Sequence, residues 1–467
     1  MKRHIVSWSY GRPMETVLHV LANSAPDVNG YATRSHGLLV AANQLDGYRV
    51  SALTSPWYAE RDSTVEPLEK DGIVYHRWPH PARQAAPRGF GMKWVASRSR
   101  RATSNRNSEK GQRSVFNFIL RRITRPLRPG WLWLEERIQI RHFTNAIIRT
   151  ATHEQATIIH AHVPYRVGWP AFKAARRLRL PFVYEVRGLW EESAVAAGRW
   201  KTSGLPYRRF RRLETKTMRQ ADAVVCISET LRQEVIDRGV DPDRVFVVPN
   251  AVQPTTIDGR SPHPMHKEIT EKLARTDATT VIGYIGSLRA LEGVDLTAEA
   301  VARLHGEGRD VRFFALTSPS GQDELRQRCR EVGLGTHAVV EGPVPHEDVG
   351  PFYNLIDVFV VSRPEMRVTQ LVTPIKPFEA MLHGKTVVVS DLPALREIVQ
   401  HGHTGAVFEP ENVDELARVL AELIDAPEQT TSLGENARAW ILKERDWNNV
   451  VNILPVVYAK AMEVRQP

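Results

Sequence analysis

Short apolar runs alternate with amphipathic stretches along nearly the whole chain. The first run predicts a strand at Val17–Ala22, followed by a loop at Asn23–Ala32 that holds Pro26 and the turn pair Asn29-Gly30. A helix is expected over Arg34–Leu45, where Leu38, Leu39, Ala42 and Leu45 recur at helical spacing, and Gly47 ends it before a strand at Arg49–Leu53. Strand, helix and strand in that order make a βαβ unit. The rhythm breaks over residues 83–130 and resumes with an amphipathic helix at Trp131–Thr150. Strands are then expected at Thr157–His160, Phe182–Val186, Ala223–Ile227 and Val245–Val248, separated by helices at Gly168–Leu178, Pro206–Arg219 and Glu229–Arg238. Ser228 stands where an N-cap belongs.

Residues 250–276 contain three prolines and no strand pattern, which suits a linker. Beyond it the alternation starts again. Strands are expected at Thr280–Ile285, Val311–Leu316, Ala338–Glu341, Val358–Val361, Thr386–Ser390 and Gly405–Phe408. Helices are expected at Val294–His305, Gln322–Val332, Glu347–Asn354, Ala394–His401 and Val413–Asp425, with a mostly helical tail over Asn436–Val464. Two such series predict an α/β protein with two doubly wound parallel sheets. The expected division is an N-terminal domain at 1–252, a linker at 253–276, a C-terminal domain at 277–445 and a closing helix at 446–467 that crosses back to the first domain. Ligands of such sheets sit beyond the carboxyl ends of the strands, so a cleft between two domains is the expected site.

A chain of 467 residues with 42% hydrophobic and 25% charged residues is an ordinary soluble composition. Its two cysteines, Cys226 and Cys329, exclude a disulfide framework and a CxxC metal site, and they suit a reducing cytoplasm. The N-terminus lacks the apolar core of a signal peptide, and no apolar run approaches the roughly 20 residues that span a bilayer. The net charge of +10 concentrates between Arg83 and Arg128, where thirteen basic residues stand against the single acid Glu109. Trp94, Phe116 and Phe118 are interleaved with them. Such a segment is either a solvated excursion or a surface for an anionic partner, and an anionic membrane face is the expected one rather than nucleic acid.

No GxGxxG follows the first strand and no GxxxxGK[ST] occurs, which argues against a simple NAD domain or a P-loop ATPase. No metal-ligand cluster is evident, and neither metal nor cofactor is expected. Gly30 in the first loop would let backbone approach a ligand closely, or simply make a turn. His160 and His162, in IIHAHVPY at a strand's carboxyl end, are candidates for a site rather than plain core residues. In GYIGSLRALEG, Gly286 and then Arg289 precede a helix, the arrangement of an anion site. In TPIKPFEAMLHGK, Lys376 and Glu379 open a helix leading to a strand. An i, i+3 salt bridge between them would contribute only about 0.2–0.5 kcal/mol. The alternative is a ligand with a diphosphate between Arg289 and Lys376 and a ribose diol on Glu379.

Together, HAH, ADAVVCISETL, VFVVPNAV, IGYIGSLRALEGVDL and TPIKPFEAMLHGKTVVVSDLPALREIVQHGHTGAVFEP resemble glycosyltransferase family 4 enzymes of the GT-B fold. The resemblance runs from about residue 15 to 450, apart from 83–130, and is nearest to bacterial transferases that build surface polysaccharides or glycolipids. It implies two Rossmann-like domains facing a cleft and a retaining transfer from a UDP- or GDP-sugar to an acceptor glycan or lipid-linked sugar, without a metal. It implies that Glu379, the second glutamate of the family's E-x7-E motif, binds the ribose, and that Lys376 and Arg289 hold the diphosphate. Gly30 and Gly286 would lie by the donor, and His162 by the transferred sugar. His160, Arg187 and Gln370 would be further sugar or acceptor contacts. Two positions depart from the pattern. Leu371 stands where the first glutamate belongs, beside the polar Gln370, and Glu292-Gly293 stands for the family's Lys-Gly, leaving Arg289 unaided on that side. The expected location is the cytoplasm, peripheral on the inner membrane face. A non-enzymatic membrane or nucleic-acid-binding protein and a UDP-sugar epimerase are the alternatives.

Overall fold

A computed structural model describes residues 14–27, 29–56, 66–78, 128–254 and 263–465. The basic segment from Arg83 through residue 127 and the opening residues 1–13 lie outside them. The described residues group into two compact units, one within Met1–Glu185, Gln220–Val224 and Val456–Pro467, the other within Val186–Arg219 and Val225–Pro455.

Fourteen strands are described, in two sheets. The first sheet holds β1 (Glu15–Leu21), β2 (Tyr48–Thr54), β3 (Leu68–Lys70), β4 (Ile73–Arg77), β5 (Ile158–His162), β6 (Phe182–Val186), β7 (Ala223–Cys226) and β8 (Val245–Val247). Their order is β3-β4-β2-β1-β5-β6-β7-β8. β1 pairs in parallel with β2 and with β5, and β3 runs antiparallel to β4. The β3–β4 hairpin was not anticipated. It turns on Asp71 and Gly72, both at positive φ (49° and 75°), the backbone that a two-residue hairpin turn requires.

The second sheet holds β9 (Thr280–Ile285), β10 (Val311–Leu316), β11 (Ala338–Glu341), β12 (Val358–Val361), β13 (Thr386–Ser390) and β14 (Ala406–Phe408). All six run parallel in the order β11-β10-β9-β12-β13-β14. VFVV is apolar at every position and TVVVS through its centre because helices cover both faces, and β12 and β13 are buried throughout. Relabelled from β9, the order is 3-2-1-4-5-6, and the chain reverses direction of travel between β9 and β12. A doubly wound sheet has its crevice at that switch point.

Most helices fall near their expected positions. Val413–Asp425 is as predicted, and Ser228 caps Glu229–Asp237 by accepting from Leu231 N at 3.2 Å. The helix expected over Glu347–Asn354 is instead a 3-10 turn at His346–Asp348 and a short helix at Gly350–Tyr353, split where Gly350-Pro351 interrupts the amide series. Ala394–His401 shortens to Pro393–Arg396. Within the stretch expected as a linker, Pro264–Leu273 is helical, with Pro264 at its first position. Three short helices were not foreseen or not delimited: Trp190–Ala196, Arg367–Leu371 and Lys376–Leu382.

Candidate functional site

In the second unit, the switch point gathers charge from three chain segments. Gly286 follows directly after β9, with a φ of +150°. A Cβ there would stand 2.2 Å from Lys376 Cε, so only glycine leaves room for the lysine to lie across the strand end. Arg289 follows, then a 3-10 turn at Ala290–Glu292 and the long helix Val294–Gly306. Gly293 is the N-cap of that helix and supplies no side-chain cap. Gly293 packs hard on the end of β12, since a Cβ would meet Ser362 O at 1.8 Å.

Glu292 is fully buried among three cations. Arg289 Nη2 donates to it at 2.7 Å, Lys376 Nζ lies 3.1 Å away, and Arg363 Nε and Nη2 donate at 3.2 and 3.1 Å. Burial alone would push its carboxyl up, but Arg363, Lys376 and Arg289 hold it far below the usual carboxylate range. Lys376 is lowered to about 8, chiefly by desolvation, with Arg363 and Arg289 adding to the effect and Glu292 opposing it. Its amine also donates to Tyr284 OH, whose own pKa is pushed up by burial. The cluster carries three positive charges against one negative. The i, i+3 bridge from Lys376 to Glu379 does not form, because the lysine turns to Glu292.

Glu379 accepts instead from Tyr353 OH at 2.8 Å. Tyr353 is buried and stacks on His383, ring centroids 5.0 Å apart. Desolvation lowers His383 to about 4, so the imidazole is neutral at pH 7. Upstream, Leu371 O accepts from Ser228 Oγ and Thr230 Oγ1, and Asn250 Nδ2 donates to Thr373 O at 3.1 Å. These bonds fix the run that leads into Lys376. Gln370 Nε2 donates to Glu365 Oε1 at 2.9 Å, which holds that carboxylate beside the residue next to Leu371.

The first unit has a second polar cluster, also at a switch point, between β1 and β5. His19 and His160 are register partners on those strands. His160, His162 and His19 are fully buried with Glu185. His162 Nδ1 lies 3.3 Å from Glu185 Oε2, and His19 Nδ1 lies 2.9 Å from His162 Nε2. His160 Nε2 lies 3.4 Å from the same carboxylate oxygen, so two imidazoles face Glu185 Oε2 at ion-pair distance. Arg34 Nε and Nη2 donate to Glu185 Oε1 at 3.1 and 3.0 Å. Ring nitrogens of the three histidines lie within 4.8 Å of one another. However, the His160 and His162 rings stack 10° from parallel, 4.8 Å apart, so their lone pairs run side by side rather than converging. Gly30 is the exposed first residue of the helix Gly30–Ala42, and Arg187 is buried directly after β6.

Of the expected residues, Gly286, Arg289, Lys376 and Glu379 come together in the second unit, and His160 and His162 in the first. Sequence reading missed Arg363, Tyr353, Glu365, His19 and Glu185. It also left Arg289 unaided, which the neighbouring Arg363 corrects. Arg363 had a signal, since it follows an apolar strand as Arg289 does. His19 stands inside the apolar run of β1, and only the sheet order brings it to His162.

The family described as Glycosyltransferase Family 4 matches residues 82–256, and the one described as Glycosyl transferases group 1 matches residues 265–440. The chain belongs to glycosyltransferase family 4. It is a glycosyltransferase of the GT-B fold, and that membership leaves the non-enzymatic and epimerase alternatives without support. The first match begins at residue 82 and so includes the basic segment. Among curated relatives, the chain is 26% identical over 275 residues to the MMP alpha-(1->4)-mannosyltransferase of Mycolicibacterium hassiacum, covering 58% of this chain and 62% of that protein. It is 24% identical to the alpha-maltose-1-phosphate synthase of Mycolicibacterium smegmatis, covering 66% and 80%. The solved sucrose-phosphate synthase of Thermosynechococcus elongatus has the same fold, with a TM-score of 0.66 at 15% identity over 96% of this chain and 99% of that one. The Anabaena protein HepE, solved with UDP, gives 0.63 at 16% identity over 96% and 100%.

Proposed function

We propose that this glycosyltransferase moves a sugar, with retention of configuration, from a nucleoside diphosphate sugar to a hydroxyl of a glycan or lipid-linked acceptor. The observation that carries this reading is the cation cluster at the β9–β12 switch point, whose Lys376 shares a short helix with Glu379. The diphosphate lies against Arg289 and Lys376, with Gly286 giving the backbone clearance, and the ribose diol lies on Glu379. As the glycosidic bond breaks, negative charge grows on the leaving phosphate, and fixed cations in a partly desolvated site stabilise it most at that moment. On the retaining face, that phosphate oxygen takes the acceptor proton, so the scheme needs no separate carboxylate base and no metal ion. His162, held by His19 and Glu185, faces the transferred sugar in this reading, with His160 and Arg187 as further contacts. Glu365, oriented by Gln370, takes the hydroxyl-binding part of the glutamate that Leu371 replaces.

The UDP and UDP-glucose complexes of the Anabaena protein make uridine donors the first to test, with GDP-sugars beside them. Release of nucleoside diphosphate across a donor panel, followed by NMR of the product's anomeric centre, tests the reading. Inverted configuration, or no release from any donor with an acceptor extract present, refutes it.

A cytoplasmic, membrane-peripheral enzyme fits the basic composition. Among the described residues, no helix is long and apolar enough to cross a membrane. The helix Leu205–Gln220 adds exposed Arg208, Arg209, Arg212 and Lys216 beside Leu205, which is 81% exposed. Each Lys or Arg near an anionic lipid surface contributes about 1 kcal/mol, lost as salt rises. Co-sedimentation with anionic vesicles, against DNA at matched salt, checks this part, and indifference to anionic lipid at low salt rejects it.

A further inference from the structure

Glu292 is an unexpected residue to find at a diphosphate site. A carboxylate there repels phosphate, and its burial is unfavourable unless it is paired. Its position explains it. It touches Arg289 from its own turn, Arg363 from the end of β12 and Lys376 from the helix Lys376–Leu382. No other residue described at this site contacts all three.

The amine of Lys376 faces few other groups. Tyr284 on β9 meets it with a hydroxyl, and the Tyr284 ring centroid lies 4.8 Å from Nζ. Arg289 and Arg363 are cations, and Glu379 on the same helix is engaged by Tyr353. Glu292 is therefore the one anion in direct contact with the amine among the described residues. Burial and two guanidinium groups favour the neutral amine, and Glu292 alone opposes them.

We propose that Glu292 is a positioning residue of the donor site, which gathers Arg289, Arg363 and Lys376 around one buried carboxylate and keeps the Lys376 amine charged for the diphosphate. The proposal rests on the reading of Arg289 and Lys376 as diphosphate ligands. With Glu292 in place the cluster has a net charge of +2, the complement of a diphosphate diester. The carboxylate also holds the cations at their posts before the donor arrives, so their mutual repulsion does not disperse them.

The test reads Lys376 directly. Competitive acetylation of the intact protein across pH, followed by mass spectrometry of the Lys376 peptide, gives the amine's titration midpoint without any need for activity. The wild-type midpoint is expected near 8. An opposite charge at this range shifts a pKa by about 1–3 units, so Glu292→Gln should lower the midpoint by that amount, and Glu292→Asp by less. An unchanged or raised midpoint in Glu292→Gln overturns the proposal. If that variant does not fold, Glu292→Asp carries the same test, and an unchanged or raised midpoint overturns it there too. A second arm measures affinity for UDP and GDP at pH 6 and pH 8. In Glu292→Gln the ratio of affinities between the two pH values should widen at least threefold over wild type. A lowered midpoint with no widening of that ratio overturns the donor-site reading, while Glu292's hold on the amine stands.

Discussion

Gly286→Ala separates the donor site from the fold. The added methyl would stand 2.2 Å from Lys376 Cε, 2.8 Å from Cδ and 2.9 Å from Nζ. Ordinary contact needs roughly 3.5–4.0 Å, so the end of the lysine must withdraw by more than about 1 Å. That end is flexible and only partly buried, so the clash is relieved cheaply. What remains for stability is alanine at φ +150°, on the order of 1–3 kcal/mol. Function fares worse. The amine leaves Tyr284 and Glu292 and no longer meets the phosphate, forfeiting a charge-assisted hydrogen bond of about 1.5–3 kcal/mol. The expected fall in kcat/KM is roughly tenfold to a hundredfold. Gly293→Ala is the contrasting control. Its Cβ would meet a backbone oxygen, Ser362 O at 1.8 Å, which cannot swing away, and its φ is +65°. That variant should lose thermal stability heavily. The assays are thermal unfolding and nucleoside diphosphate release at varied donor. A Gly286→Ala protein with wild-type kcat/KM would refute the claim that Lys376 needs this strand end to reach the donor.

Three further outcomes are expected. Glu379→Ala should weaken nucleotide binding by about tenfold to a hundredfold, from the loss of charge-assisted bonds to a diol, with the fold retained, and calorimetry with nucleoside diphosphate reads this. Lys376 titrates near 8 in the folded chain, below its ordinary value of 10.5, so the unfolded state binds more protons between those values. Its contribution to stability therefore rises with pH across that window, while donor affinity falls as pH passes 8; opposite slopes in unfolding and binding profiles check both signs. Arg34→Met removes the guanidinium that anchors buried Glu185 and should destabilise the first unit by about 3–5 kcal/mol, seen as a lowered unfolding midpoint in urea.

Much of the second sheet was legible because its strands are apolar on both faces and its helices end at glycines or begin at capping residues. Val413–Asp425 shows this, with Asn412 accepting from Glu415 N at 3.0 Å. The short elements were not legible. Arg367–Leu371 and Trp190–Ala196 span less than two turns and establish no period. The Asp71-Gly72 hairpin carried its signal in the sequence, but its strands are too brief to alternate visibly. At the candidate site, single residues beside strand ends were readable from residue type and position, and so Arg289, Lys376 and Glu379 stood out as candidates. The partnerships were not. Glu292 reads as a lost lysine along the chain and becomes the centre of the cation cluster only when β9 and β12 lie side by side. In the same way, Tyr353 reaches Glu379 across 26 residues and His19 reaches His162 across 143.

The central claim is that a nucleotide sugar binds at the β9–β12 switch point through Gly286, Arg289, Lys376 and Glu379. The most direct measurement is a crystal structure of the protein with whichever nucleoside diphosphate, among those of uridine, guanosine, adenosine and thymidine, raises its melting temperature most. The account predicts phosphate oxygens within hydrogen-bond reach, about 2.7–3.2 Å, of Arg289 and Lys376, and ribose hydroxyls on the Glu379 carboxylate. A nucleotide bound elsewhere, or bound here with its ribose away from Glu379 and its phosphates away from both cations, would contradict it.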